Sequence, residues 1–150
     1  MAVHSPLFSL AFTRGLDASQ IERLAQIATH VSWSTGTTVF REGDCDSVLY
    51  VVEQGRVAIE ITVPGRGRVN ILTVGPGEVF GWSSLFYQRP KTASARTIEA
   101  TTAFALDAAK LREFCDADSR MGYILTQRIL EVVSERLKAT RMQLLDIYGQ

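Results

Sequence analysis

The feature that most constrains the fold is a change of hydrophobic period between the middle of the chain and its ends. From Val39 to Leu106 the apolar residues recur with a period of two, which is typical of β-strands. Runs such as SVLYVVEQG, RVAIEITV, RVNILTV and TTAFALD are short, and glycine-containing turns separate most of them. Short strands with such regular turns indicate an all-β sandwich or jelly roll, and the lack of strand–helix alternation argues against a Rossmann fold.

A helical period precedes this block. The stretch LDASQIERLAQIATHVSW has apolar residues at helical spacing and predicts an amphipathic helix over about residues 17–31, with Asp17 or Ser19 as its N-cap. The β block is then expected over about residues 36–107. A length of 150 residues is typical of one domain, so we expect a single unit.

Two helices are predicted after the β block. The first covers about residues 107–116 and begins at Asp107, and the second runs without proline over about 121–148. Along the second helix, residues spaced three and four apart form a heptad seam. The seam consists of Leu130, Val133, Leu137, Thr140, Leu144 and Ile147. It favours pairing with a second copy in a homodimer, and the alternative is a single helix lying on its own β domain.

The charge balance disfavours several classes of partner. The 16 basic and 16 acidic residues give a formal net charge of +0, which argues against broad binding to a nucleic-acid backbone. No apolar run approaches the ~18 residues of a transmembrane helix, and the first residues lack the basic start and cleavage site of a secretory signal. We therefore expect a cytoplasmic protein that does not bind membranes.

The residues that could carry catalysis are few. Cys45 and Cys115 are expected to be free thiols, and Cys45 in GDCDS has no obvious base beside it. The jelly roll is shared with metal enzymes that cluster His ligands in the sheet, but His4 and His30 are the two histidines here and both precede the expected sheet. The sequence therefore predicts a protein that is not an enzyme and holds no metal.

The segment GPGEVFGWSSLFYQRPKTASARTIEA, residues 75–100, has the composition of an anion site. A short helix beginning at Gly81 would direct unpaired backbone N–H groups and a positive dipole end towards an anion. Hydroxyl groups and two cations follow it in the sequence. The candidate ligand-binding residues are Gly81, Trp82, Ser83, Ser84, Arg89, Lys91, Thr92 and Ala93. Turn chemistry alone is the alternative explanation for each glycine taken singly.

Taken in their order along the chain, the helical and β segments described above resemble the cyclic nucleotide-binding domain. GTTVFREGDCDSVLYVVEQGRVAIEI resembles the first strands of that domain, while GPGEVFG and KTASARTIEATTAFALD resemble its phosphate-binding cassette and the strands after it. Nearly the whole chain is similar to the sensor domain of catabolite activator and FNR-type regulators. The resemblance implies an α+β fold, in which a β jelly roll (a double-stranded β-helix) is flanked by a short N-terminal and a long C-terminal helix. It also implies that the long helix dimerises and caps the pocket.

Two positions depart from the pattern of this family. In members that bind cyclic AMP, a Glu of the cassette accepts a hydrogen bond from the ribose 2′-hydroxyl and an Arg pairs with the cyclic phosphate. This sequence has Trp82 and Lys91 at those positions, and Thr92 retains the following hydroxyl. Trp has no acceptor and Lys lacks the planar fork of Arg. Trp82 would either stack on a planar ligand, fill the ribose space, or pack in the core.

Two classes of function follow from the resemblance. The first is a non-catalytic sensor of a cyclic nucleotide (cyclic AMP or cyclic GMP) or another phosphorylated small molecule. Its ligand phosphate would dock on Gly81, Ser83, Lys91 and Thr92, and the signal would reach the long helix around Thr140–Leu144. The second is a dimeric interaction module whose pocket is degenerate and empty. The sequence ends at Gln150 with no helix-turn-helix after the long helix. We therefore expect a stand-alone domain, with the sensor part of a larger transcription regulator as the alternative.

Overall fold

Two antiparallel β-sheets and three α-helices make up the computed structural model, which describes residues 11–82 and 90–148. The strands are β1 Ala28–Trp33, β2 Thr38–Phe40, β3 Val48–Gln54, β4 Val57–Val63, β5 Gly67–Val74, β6 Val79–Phe80, β7 Ser94–Thr97 and β8 Thr101–Asp107. In the described ranges the sheet orders are β1-β8-β3-β6 and β2-β7-β4-β5. The helices are α1 Ala18–Ile27, α2 Ala108–Ala117 and α3 Ser119–Tyr148. The predicted architecture, a β roll between a short and a long helix, is confirmed.

The alternation of side chains along β3 explains how the layers are arranged. Leu49 and Val51 point to one face of the first sheet, where they pack against α1, α2 and α3. Val52 points to the opposite face and packs between the two sheets with Val57 of β4 and Phe80 of β6. Both faces of this strand are therefore buried, which its continuous apolar run requires.

The N-terminal helix is shorter than the sequence predicts. It ends at Ile27, and residues 28–33 form β1 instead of a last helical turn, so the expected helix end near residue 31 and the expected start of the roll near 36 are wrong. β1 pairs along β8, with His30 opposite Phe104 and their rings 5.2 Å apart. This pairing outweighs the helical pattern because it satisfies the backbone and covers the Phe104 ring.

The N-caps show where helices α1 and α2 begin. Asp17 is the N-cap of α1, because its side chain accepts the Gln20 backbone N–H at 2.9 Å while the Gln20 side chain accepts the Asp17 N–H at 3.0 Å. Ser19 lies inside the first helical turn. Asp107 caps α2 and accepts the Lys110 N–H at 3.1 Å. Each carboxylate satisfies a backbone donor that would otherwise lack an intrahelical partner.

The apolar residues of the long helix α3 that are buried against the core lie in its first half. Met121, Leu125 and Ile129 form a stripe against the core. Of the predicted seam, Val133 is half-buried, whereas the other members are exposed. The exposed ones are Leu130, Leu137, Thr140, Leu144 and Ile147. No helix in the described part of the chain is long and apolar enough to cross a membrane.

Candidate functional site

A small cavity lies beside the end of β6, between the β roll and α3. Its volume is about 110 Å³. The lining brings together residues from β2, β4, β6, the segment before β7 and the middle of α3. They are Phe40, Ile59, Phe80, Gly81, Trp82, Lys91, Thr92, Ala93 and Arg136. The cavity therefore joins the predicted cassette to the long helix.

Gly81 and Trp82 form the side of the cavity that follows β6. Gly81 has φ +76°, and a Cβ atom there would lie 3.0 Å from the Val48 carbonyl oxygen, so a side chain would be both strained and crowded. Trp82 is half-buried, packs against the core beneath the helices and also lines the cavity. The glycine thus lets the chain turn sharply so that the indole is placed at the cavity.

Lys91 supplies a buried positive charge. Its side chain is 3% exposed, and its Nζ lies 3.3 Å from Asp46 Oδ1. The ammonium also donates to the Gly81 carbonyl at 3.4 Å and lies 4.5 Å from the centre of the Phe40 ring. A buried ammonium needs such partners, since burial without them would favour its neutral form. Asp46 was not among the residues predicted from the sequence.

The loop before β3 fixes the backbone of Lys91. The Lys91 N–H donates to the Asp44 carbonyl, and the Gly43 N–H donates to the Lys91 carbonyl, each at 2.8 Å. The turn at Gly43 and Asp44 thus pairs with the cassette across 47 positions of the chain (91 − 44). Its structural role is to hold the cation beside the cavity.

Arg136 of α3 brings a second cation to the cavity. Its guanidinium carbon lies 5.9 Å from the centre of the Trp82 ring, and Nη2 donates to the Val79 carbonyl. Burial lowers the pKa of Arg136, while the nearby Glu78 carboxylate acts in the opposite direction. Arginine nevertheless stays protonated in proteins because its ordinary pKa is so high. The guanidinium beside the Trp82 ring therefore remains a positive charge at the cavity wall.

The structure brings five of the eight predicted ligand residues to this cavity. These are Gly81, Trp82, Lys91, Thr92 and Ala93. Ser83, Ser84 and Arg89 lie outside the described residues.

The helix meets the cavity one turn earlier than expected. Thr140 and Leu144 are exposed and do not line it, and the Thr140 hydroxyl donates to the Arg136 carbonyl at 2.9 Å. Sequence reasoning missed Arg136, although a signal was present. It lies seven residues after Ile129, so it continues the buried stripe of α3. A charged residue among the buried positions of a helix needs a partner there, so its position in the pattern marks a candidate site.

The arrangement suits an anion better than a metal or a covalent nucleophile. Among the described lining residues there are two cations and no carboxylate. In residues 11–82 and 90–148, no three His, Cys, Asp or Glu side chains are grouped to hold a metal ion. Burial, with smaller contributions from Asp116 and Asp118, raises the pKa of the Cys115 thiol to about 11, so this thiol is not activated.

Trp82 packs in the core, which is one of the three roles predicted for it, and it also lines the cavity. Together with Arg136 it borders a cavity that is well below the ~300 Å³ at which pockets for small molecules usually begin. The described part of the site is therefore narrow, and a ligand would contact both the indole and the guanidinium.

Comparison with known proteins gives consistent matches. The family model of the cyclic nucleotide-binding domain matches residues 30–118. The chain is 35% identical over 135 residues to the CRP-like cAMP-activated global transcriptional regulator of Mycobacterium tuberculosis, which covers 89% of this chain and 58% of that protein. It is 28% identical over 140 residues to the cyclic AMP receptor protein of Thermus thermophilus, covering 93% of this chain and 61% of that protein. The chain thus spans about three fifths of these relatives.

The fold is also found among solved structures. A cyclic nucleotide-binding domain from Methylobacillus flagellatus superposes with a TM-score of 0.82 at 18% identity, over 96% of this chain and 81% of that one. At this identity the match concerns the fold alone.

Proposed function

Because the chain belongs to the cyclic nucleotide-binding domain family, we propose that it senses a cyclic nucleotide or another phosphorylated small molecule in the cavity beside Lys91. The domain is a regulatory, non-catalytic one. The observation that carries the proposal is the meeting of Lys91, Trp82 and Arg136 around one cavity. Two cations in a partly desolvated site favour an anion more strongly than they would in water.

The signal passes through α3 in this proposal. Arg136 reaches the cavity from the helix, and the exposed seam begins on an adjacent face of the same helix. A ligand that displaces or reorients the guanidinium would change how α3 is held against Trp82 and Val79. A second copy pairing along the seam would receive that change directly.

Two alternatives have specific support. The narrow cavity favours a ligand-free dimeric interaction module in which Trp82 and Arg136 satisfy each other. The length of the curated relatives favours the sensor part of a larger transcription regulator. Only the first of these alternatives excludes ligand binding, so a binding experiment separates it from the proposal.

The test is thermal unfolding of the purified protein with cyclic AMP, cyclic GMP, cyclic dinucleotides and linear nucleotides. A ligand at 100 times its dissociation constant adds about 2.7 kcal/mol, and each kcal/mol raises the Tm by roughly 2–4 °C for a chain of this size. We expect a saturable shift with at least one nucleotide. No shift at millimolar concentrations of any of them would support the ligand-free module.

A pair of variants locates the site. Lys91→Met keeps the length of the side chain and removes the charge, so the nucleotide-induced shift should disappear. Lys110→Met removes the same charge from an exposed position of α2 and should leave the shift unchanged. A Lys91→Met protein that retains the full shift would place the ligand elsewhere.

A further inference from the structure

The described lining of the cavity consists almost entirely of hydrogen-bond donors and apolar groups. Trp82, Lys91 and Arg136 can donate but cannot accept. Thr92 is the single side chain of the described lining that can accept a hydrogen bond. The remaining lining side chains are apolar, so a ligand meets many donors and very few acceptors.

Two backbone carbonyl groups at the cavity already accept hydrogen bonds from its cations. The Gly81 carbonyl accepts a hydrogen bond from Lys91 Nζ at 3.4 Å, and the Val79 carbonyl accepts one from Arg136. The two cations therefore occupy one acceptor position on each of the carbonyl groups that flank Phe80. This makes the site poorer still in acceptors.

Two carboxylates near the cavity also have partners within the protein. Asp46 is held by Lys91 at 3.3 Å, and Glu78 accepts the Gly75 N–H at 2.8 Å. The sequence has no Asp or Glu from Phe80 to Ile98, and this range includes residues 83–89, which lie outside the described residues. No carboxylate of this stretch can therefore receive a sugar hydroxyl.

We infer that the described lining of the cavity binds acceptor atoms and the ring surface of a ligand, and that this lining does not recognise the ribose 2′-hydroxyl of a nucleotide. This inference rests on the proposed function and names the ligand class: an anion with a planar ring whose buried part carries no required hydroxyl donor. Trp82 is the specificity-determining residue, because its indole lines the cavity and offers a ring surface and an N–H donor but no acceptor. A hydroxyl entering such a site loses the hydrogen bond that it donates to water, and Thr92 is the single side chain of the described lining that could accept it instead.

The test is calorimetric titration of the protein with matched pairs of nucleotides. The pairs are cyclic AMP with 2′-deoxy cyclic AMP, and cyclic GMP with 2′-deoxy cyclic GMP. A neutral hydrogen bond contributes about threefold to tenfold in affinity, so a site that reads the hydroxyl prefers the ribose form by at least threefold. We expect the deoxy form to bind as tightly as the ribose form or more tightly.

The outcomes separate this inference from the proposed function. Binding with a ribose preference above about threefold would overturn the inference and leave the proposed function standing. Absence of binding by all four compounds, together with no thermal shift from any other nucleotide, would overturn both.

Two substitutions of Trp82 test its role directly. Trp82→Gln introduces an acceptor without changing the charge and should create a preference for the ribose form. Trp82→Phe keeps a ring without an acceptor and should remain indifferent to the hydroxyl. Circular dichroism checks that each variant is folded. If Trp82→Gln fails to fold, the wild-type and Trp82→Phe titrations still decide, because either protein showing a ribose preference would contradict the inference.

Discussion

Gly55 shows how a single position can be dictated by both conformation and space. It lies in the short connection between β3 and β4 with φ +96°, where side chains are strained. A Cβ atom there would lie 2.5 Å from the Ala100 carbonyl oxygen and 2.5 Å from Thr101 Oγ1. The glycine therefore lets the turn pack against the chain that enters β8.

Gly55→Ala should consequently destabilise the protein by about 2–4 kcal/mol, from backbone strain and steric overlap together. Gly65 is the matched control, because its φ is +81° but nothing lies within 4 Å of an added Cβ. Gly65→Ala should cost only about 1–2 kcal/mol. Urea unfolding measures both, and equal losses would show that crowding at Gly55 contributes nothing.

Glu60 is a buried carboxylate whose charge is held by arginine. Its side chain is 7% exposed, and Arg96 donates to it through Nε at 3.1 Å and Nη2 at 2.8 Å. Hydrogen bonding to Arg96 is the main reason that the pKa of Glu60 lies below its ordinary value of 4.5, and burial opposes this shift. The paired form is thus the charged form, which links this residue to the acid stability of the fold.

A carboxylate with a lowered pKa in the folded state stabilises the protein above its ordinary pKa, and this stabilisation is lost as the pH falls through the folded-state value. Glu60→Gln should therefore lower the free energy of unfolding by about 1 kcal/mol at pH 7. The expected loss is no larger because Arg96 is partly exposed and solvent screens its charge. The difference from the wild type should shrink below about pH 4.5. Urea unfolding from pH 7 to pH 3 measures it. Glu22→Gln removes a carboxylate from an exposed position of α1 and is the matched control, which should leave the free energy of unfolding at pH 7 nearly unchanged.

Helix α1 shows how well local chemistry predicts where an element begins. Asp17 and Gln20 cap each other's backbone N–H groups, a pattern visible in the sequence. The end of the same helix was predicted near residue 31, about four residues too late, because residues 28–33 pair with β8, whose partner residues lie 68 to 78 positions later. Helix starts depend on nearby side chains, whereas this helix end depends on a distant strand.

Asp17→Ala should lower the free energy of unfolding by about 1 kcal/mol, because the Gln20 N–H loses its acceptor. Ser19 was the other candidate cap, and it lies within the helix. Ser19→Ala should therefore be neutral or slightly stabilising, since alanine is the better helix former. Unfolding in urea distinguishes the two. A larger loss from Ser19→Ala than from Asp17→Ala would contradict the assigned cap.

At the scale of the whole molecule, the second half of α3 leaves a large apolar surface uncovered. Leu137 is 50% exposed and Leu144 is 49% exposed, and both belong to the predicted seam. Met142 is 54% exposed but lies about 140° around the helix from Leu137, since five residues separate them. The homodimer predicted from the heptads would bury the face that carries Leu137 and Leu144, and it would leave the face that carries Met142 exposed.

Leu137→Asp should therefore weaken the dimer by at least about a hundredfold, because a twofold interface would lose two buried leucines. Met142→Asp introduces the same charge on the other face and should leave the dimer intact. Sedimentation velocity of wild type and both variants measures the association. A monomeric wild type, or equal effects of the two substitutions, would show that the seam does not mediate pairing.

Several parts of the molecule followed from the sequence by itself. The alternating block with its turns determined the β roll, and the helical spacings determined a short helix before it and a long one after it. The order of these segments also pointed to Gly81, Lys91 and Thr92, which the structure places in one cavity. These features are predictable because burial repeats every two residues in a strand and about every 3.6 in a helix, so local patterns report them.

Only the tertiary structure decided how the cavity is completed. Arg136 meets Val79 across 57 positions of the chain, and Asp46 meets Lys91 across 45 (91 − 46). These contacts depend on strand register and on the path of α3 over the roll. The spacing of apolar residues predicts neither the register nor the path of α3, because periodicity identifies the face that is buried but not the partner that covers it.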